Sequence, residues 1–151
     1  MKTVSVTCVG KLKERFFSDA IAEYSKRLNR FCKLEICELE DRAGADEVKK
    51  ESDAILGSVA SGEYVILTDL SGESVSSEEL STLLDKAYAS GKSAVRFIIG
   101  GSRGVDDRVR GKADKVISFG RVTYPHQLMR VILLEQVYRA FTISAGMPYH
   151  K

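Results

Sequence analysis

Hydrophobic positions along this chain alternate between two periods. From Thr3 to Val9, Val4, Val6 and Cys8 alternate with Thr3, Ser5 and Thr7, the period of a strand, and Gly10 ends it. Phe16, Phe17, Ala20, Ile21, Tyr24 and Leu28 then recur at helical spacing, predicting a helix to about Arg30. Leu34 to Leu39 reads as a second strand and Asp41 to Ala45 as a polar loop. A weakly patterned helix through Val48, Ile55 and Leu56 should end near Gly62. Tyr64 to Leu70 is an apolar strand, followed by a turn at Ser71-Gly72. Ser76 with Glu79 three residues on is a capping box for a helix through Leu80, Leu83, Leu84, Ala87 and Tyr88, and Gly91 closes that helix.

The last third repeats one unit twice. Ala94 to Ile99 is a strand running into Gly100-Gly101-Ser102-Arg103-Gly104, then a short helix near Asp106 to Arg110. Val116 to Phe119 is a strand running into Gly120 to Gln127, then a helix from about Leu128 to Ala145. Strands alternating with helices predict an α/β fold, a mostly parallel sheet with helices on both faces, in one domain spanning residues 1–151. In such sheets ligands bind in the crevice at the carboxyl ends of the strands. The last helix is apolar nearly all round, through Leu128, Met129, Val131, Ile132, Leu133, Leu134, Val137, Tyr138, Ala140, Phe141 and Ile143. Such a helix is covered on both sides. A dimer interface combined with burial inside its own chain is the expected arrangement.

Composition narrows the setting. A chain of 151 residues, 44% hydrophobic and 29% charged, has the make-up of a soluble globular domain. No apolar run approaches the roughly 20 residues of a membrane span. The polar Ser5 and Thr7 break the first apolar stretch, which argues against a secretory signal and for a cytoplasmic protein. Cys8, Cys32 and Cys37 lack metal-ligand spacing and read as reduced, buried thiols; no metal site is expected. A net charge of +2 gives no global signal for nucleic-acid binding. Contact with RNA would rest on local clusters, Lys11/Lys13/Arg15 or Lys26/Arg27/Arg30/Lys33, each of which reads equally as a solvated helix face.

Several motifs admit two readings. Gly91-Lys92-Ser93 mimics the end of a phosphate loop, but Lys86 stands where that pattern needs glycine, so it reads as a helix stop. The loop from Gly100 to Gly104 suits close approach of a ligand to backbone, or is a tight turn. Asp69 could hold a ribose hydroxyl or cap its own turn. His126 follows Pro125, which suits a first helical position, and the positive end of the helix dipole favours neutral imidazole there. It is a candidate base, or an N-terminal hydrogen-bond partner. Glu135 and Arg139 are spaced for an i,i+4 ion pair, structural in its simplest reading.

Taken together, Ile99 to Gly104, Thr123-Tyr124-Pro125-His126-Gln127-Leu128-Met129-Arg130, Leu134 to Phe141 and the ending Tyr149-His150-Lys151 closely resemble the bacterial large-subunit rRNA pseudouridine N3-methyltransferases of the SPOUT superfamily. Val9 to Lys13, Ala22 to Leu28 and Leu67 to Gly72 agree as well, so the resemblance covers the chain. It implies a C-terminal trefoil knot, a rare exception to unknotted topology. It implies a homodimer packed through the last helix. It implies S-adenosyl-L-methionine held by Thr68, Gly100 and the segment Phe119, Gly120, Arg121, Val122, Thr123 and Tyr124. Thr68 stands where the family often has leucine. The implied substrate is a pseudouridine of 23S rRNA in the assembled ribosome. His126, Arg139, Tyr149 and His150 are the candidate catalytic groups, with the tail from Tyr149 completing the substrate side, across the dimer in one arrangement. A nucleotide-binding regulatory module on a flavodoxin-like sheet is the alternative from another class.

Overall fold

The computed structural model describes residues 1–151. In chain order its elements are β1 (Lys2–Val9), α1 (Arg15–Leu28), β2 (Cys32–Leu39), α2 (Glu47–Ser58), β3 (Glu63–Ser74), α3 (Ser77–Ala89), β4 (Ala94–Ile99), α4 (Asp107–Lys112), β5 (Lys115–Ser118) and α5 (His126–Ser144). The strands form one sheet in the order β2-β1-β4-β3-β5, and every pairing is parallel.

The period-two pattern sorts the strand residues between two cores. Val4, Val6 and Cys8, Ile66, Val95, Phe97, Ile99 and Ile117 face α1, α3 and α5 in the larger cluster. Val9, Val65, Leu67 and Ile98 face the opposite way, against Ile55 of α2 and Val109 of α4. Helix α5 lies against both α1 and α3. It buries Leu133, Leu134, Val137, Tyr138, Ala140 and Phe141 and leaves Leu128, Val131 and Ile132 half-covered. Burial of Cys8 pushes its thiol up to about 11, and burial does the same to Cys32; both are inert thiols at neutral pH.

Under α2 the sheet carries a buried ion pair. The Arg96 guanidinium grips Glu63 through Nε (2.7 Å) and Nη2 (3.0 Å). Its Nη1 donates to Thr7 Oγ1 at 2.8 Å. Ser58 donates its hydroxyl to Ile55 O, so in the 2.9 Å contact between the two hydroxyls Thr7 is the donor. Charge and hydroxyls are thus joined in one satisfied run from β4 through β1 to α2.

Three boundaries differ from the sequence reading, each for a local reason. Helix α2 stops at Ser58, whose hydroxyl turns back on Ile55 O, and Gly62 lies in the connection beyond. Pro125 is the cap of α5 and His126 its first residue, with Pro125 O accepting from Met129 N at 2.9 Å. Ser71-Gly72 does not reverse the chain. Strand β3 continues through it to Ser74, and Ile117 pairs first with Thr68 and then with Glu73. The residues between arch over β5. Gly72 permits this: a Cβ there would stand 2.5 Å from the carbonyl carbon of Ile117 and 2.7 Å from its nitrogen. Neither backbone can yield cheaply. Gly72→Ala should therefore cost about 1–3 kcal/mol. Its Tm should fall by about 2–10 °C in a thermal melt. A variant that melts with the wild type would contradict the close arch.

Candidate functional site

At the carboxyl ends of β3, β4 and β5 three connections enclose a cavity of about 540 Å³, within the range of small-molecule sites. The arch supplies Thr68, Asp69 and Leu70; the glycine loop supplies Gly100 to Ser102, Gly104 and Val105; the connection to α5 supplies Phe119, Gly120 and Val122 to Pro125. His126 and Met129, from the first turns of α5, complete the wall. Of the residues expected at a cofactor, only Arg121 does not line it; Arg121 is exposed.

Each wall has a local cause. The Thr68 hydroxyl donates to Ile98 O at 3.0 Å, so it is engaged inside the sheet and leaves a methyl group and backbone for the cavity. Asp69 caps its own turn, accepting from the Ser71 amide at 3.1 Å and from the Ser71 hydroxyl. The glycine loop is a tight turn and a cavity wall at once: Gly104 N donates to Gly101 O at 3.0 Å, and Gly104 takes φ +78°. Gly100 does not need positive φ. Its missing Cβ makes room for the loop itself, since a Cβ would stand 2.9 Å from Val105 Cγ1 and 3.3 Å from Gly104 C. In the connection to α5, Ser118 Oγ accepts from Gly120 N (3.2 Å) and donates to Gly120 O (2.8 Å). The amides of Arg121, Val122, Thr123 and Tyr124 donate to no protein group. That leaves an extended run of free backbone donors and acceptors beside an apolar wall, which suits a flat heterocycle recognised by main chain.

A buried arginine fixes the helix that carries His126 to the edge of the cavity. Arg130 of α5 reaches Val9 O (3.1 Å) and Gly10 O (2.5 Å) and pairs with Glu38 at 2.6 Å. It draws the start of α5 against the end of β1. A Cβ on Gly10 would lie 3.5 Å from His126 Nε2 and 3.7 Å from Asp41 Oδ2. Lys13 N donates to Gln127 Oε1 at 3.2 Å. The Lys11/Lys13/Arg15 cluster therefore sits beside this rim, with Phe16 66% exposed and packed on Phe17. The second basic cluster is elsewhere and partly committed: Arg27 lies over the rings of Tyr24 and Tyr138, and Arg30 over Phe31.

Arg139, Tyr149 and His150 come together, but none of them lines the cavity of their own chain. Tyr149 packs edge-on against Tyr138, and its hydroxyl donates to Glu135 Oε1 at 2.8 Å. Burial first, then that carboxylate, raises the phenol above its ordinary range. Arg139 pairs with Glu135 at 2.8 Å, the ion pair expected from their spacing, and lies 4.7 Å over the Tyr149 ring. Arg139 Nη1 contacts His150 Nδ1 at 3.1 Å, and His150 Nε2 contacts Glu78 of α3. A guanidinium can only donate, so Nδ1 is the acceptor and the proton sits on Nε2, facing Glu78. The tail is tied down at both aromatic rings.

The sequence predicts helix α2 but not its place beside the glycine loop. Glu51 is 3% exposed and Ser52 fully buried, and both face the glycine loop. The signal was present: Val48, Ser52 and Ile55 share one helical face, and Glu51 stands beside it, a polar group at a core-facing position. No helix is long and apolar enough to cross a membrane, and no group of three or more His, Cys, Asp or Glu is placed to hold a metal.

Comparison with known proteins agrees over the whole chain. A family model described as predicted SPOUT methyltransferase matches residues 1–150. A protein of Clostridium novyi named ribosomal RNA large subunit methyltransferase H is 48% identical, covering 98% of this chain and 99% of its own length. Proteins of the same name from Lactobacillus acidophilus and Pediococcus pentosaceus are each 47% identical over the same shares.

Proposed function

The chain belongs to the SPOUT methyltransferase family, and from that premise we propose that it methylates N3 of a pseudouridine in 23S rRNA, using S-adenosyl-L-methionine. The observation that carries this reading is the convergence of Thr68, Gly100 and the Phe119–Tyr124 connection on one cavity at the strand ends. The residues fit the cofactor. Free amides from Arg121 to Tyr124 suit adenine, and the glycine loop suits close approach of the rest of the molecule. When bound, that cofactor supplies an electrophilic methyl group.

The chain's own part is to align, to exclude water and to manage a proton. Displacement at the methyl carbon requires N3 in line with the departing sulfur, and held geometry of this kind is worth several orders of magnitude. The N3 proton must leave before or during transfer. A positioned base adds about 100- to 10,000-fold. His126, at the cavity edge, is the candidate within the chain. Tyr149 and His150 are candidates from a second copy, where Arg139 would serve as a charged hydrogen-bond donor beside them. The half-covered Leu128, Val131 and Ile132 on α5 provide a surface for that copy, and a homodimer would bring one tail to the other cavity. The rim of Lys11, Lys13 and Phe16 offers phosphate contacts and a stacking surface for an RNA loop, in a protein of small net charge.

Calorimetry separates this reading from a nucleotide-binding module. S-adenosylmethionine and S-adenosylhomocysteine should bind with micromolar affinity, while ATP and FMN leave no heat of binding. Tight binding of FMN or ATP in place of the methyl donor would overturn the assignment.

A further inference from the structure

Helix α2 does not line the cavity, yet one run of its side chains holds the loop that does. Glu47 Oε1 pairs with Arg103 Nε at 3.1 Å. Ser52 Oγ accepts from Asp106 N at 3.0 Å. Asp53 pairs with Arg108 at 2.8 Å, at the start of α4. Between these struts stands Glu51. Its Oε2 accepts from Arg42 N at 3.0 Å, and a Cβ on Gly101 would lie only 2.6 Å from its Oε1. Val9 Cγ1 would be 3.4 Å from the same Cβ. Gly101 is thus clasped between a carboxylate and a β1 side chain, and a larger residue there would have to displace the Glu51 carboxylate.

A carboxyl group in this position is costly. It is 3% exposed, burial raises its pKa, the Arg42 amide opposes that rise and the neighbouring Asp41 adds to it. An apolar side chain of the same size would fill the space without that cost. What it would not do is tie the Arg42 amide and the glycine loop to one helix. We infer that Glu51 is a positioning residue for the cofactor: from α2 it fixes Gly101, and with it the Gly100–Val105 wall of the cavity. The inference rests on the cofactor reading of that cavity. Cofactor affinity is then set in part by a residue that never meets the cofactor.

The test is titration of S-adenosylhomocysteine into the full-length protein and four variants, each melted without ligand to confirm folding. Glu51→Ala should weaken binding at least about tenfold, while Glu51→Gln, which keeps the shape and an acceptor for Arg42 N, should stay within about threefold of wild type. Gly101→Ala should also weaken binding about tenfold, but should cost less than about threefold when Glu51→Ala has already removed the obstructing carboxylate. The apparent KM for ribosomes at saturating methyl donor should not change in Glu51→Ala, because the substrate rim is untouched. If Glu51→Ala does not fold, exposed Arg103→Ala cuts the outer strut alone and should still weaken binding by up to about fivefold. Wild-type affinity in Glu51→Ala, equal losses in the Ala and Gln variants, or strict additivity with Gly101→Ala would overturn the inference while leaving the cofactor reading intact. A wild-type protein with no affinity would overturn both.

Discussion

Removal of Tyr149 to Lys151 should abolish methyl transfer to ribosomes while leaving S-adenosylhomocysteine affinity and the proposed dimer nearly intact. The three residues carry an aromatic ring and an imidazole held in fixed poses by Glu135, Arg139 and Glu78, and none of them lines the cavity of the same chain. A tail so ordered has two uses: packing, or presentation to another molecule. The packing use is the smaller of the two. The truncated chain loses the Tyr149 ring packed on Tyr138 and under Arg139, its hydroxyl bond to Glu135 and the His150 contacts, about 1 kcal/mol for each. The presentation use is large, since losing a base and the alignment it enforces lowers kcat/KM by at least about 100-fold. Single-turnover assays with truncated protein, beside sedimentation and calorimetry, separate the two. Full activity would remove the tail from the catalytic account. Loss of the dimer would make its role one of packing.

Glu63→Ala should lower stability by about 3–5 kcal/mol, because it leaves the Arg96 guanidinium buried without its carboxylate. For a domain of this size that is a fall in Tm of about 6–20 °C. Burial alone would raise the Glu63 pKa, but the Arg96 contacts and the Ala60 amide (2.7 Å) outweigh it and hold the group below its ordinary value. The sign of the pH dependence follows. A carboxylate with a depressed folded pKa contributes stability above its unfolded value near 4.5. That contribution is lost as pH falls through the folded value. Melts between pH 3 and pH 7 should show a steep acid limb in the wild type and a flatter one in Glu63→Ala. Identical limbs would mean that the pair carries no such linkage.

The strand–helix alternation was legible because the strand period is clean in β1, the helical period is clean in α1 and α3, and β4 is one continuous buried run. The arch at Ser71-Gly72 was not. Ser-Gly is ordinary turn chemistry, and the reason for this glycine is Ile117, forty-five residues on, which no local pattern contains. Gly100, expected at the cofactor, lines the cavity, yet its own cause is the packing of Val105 and Gly104 against it. The tail residues were legible as a group, through the resemblance, while their partners Glu78 and Glu135 depend on how α3 and α5 pack. Glu51 stands beside the core-facing stripe of α2, but a charged residue in a weak helix reads as solvated until the fold buries it.

By the proposed function, this chain moves a methyl group from S-adenosylmethionine to N3 of a pseudouridine in large-subunit rRNA. Purified protein should be incubated with isotopically labelled methyl donor and ribosomes lacking the modification, and the rRNA digested to nucleosides for mass spectrometry. Label in N3-methylpseudouridine, from assembled ribosomes and at one position of 23S rRNA, is the predicted result. Ribosomes that take up no label, or label confined to another nucleoside, would contradict the account.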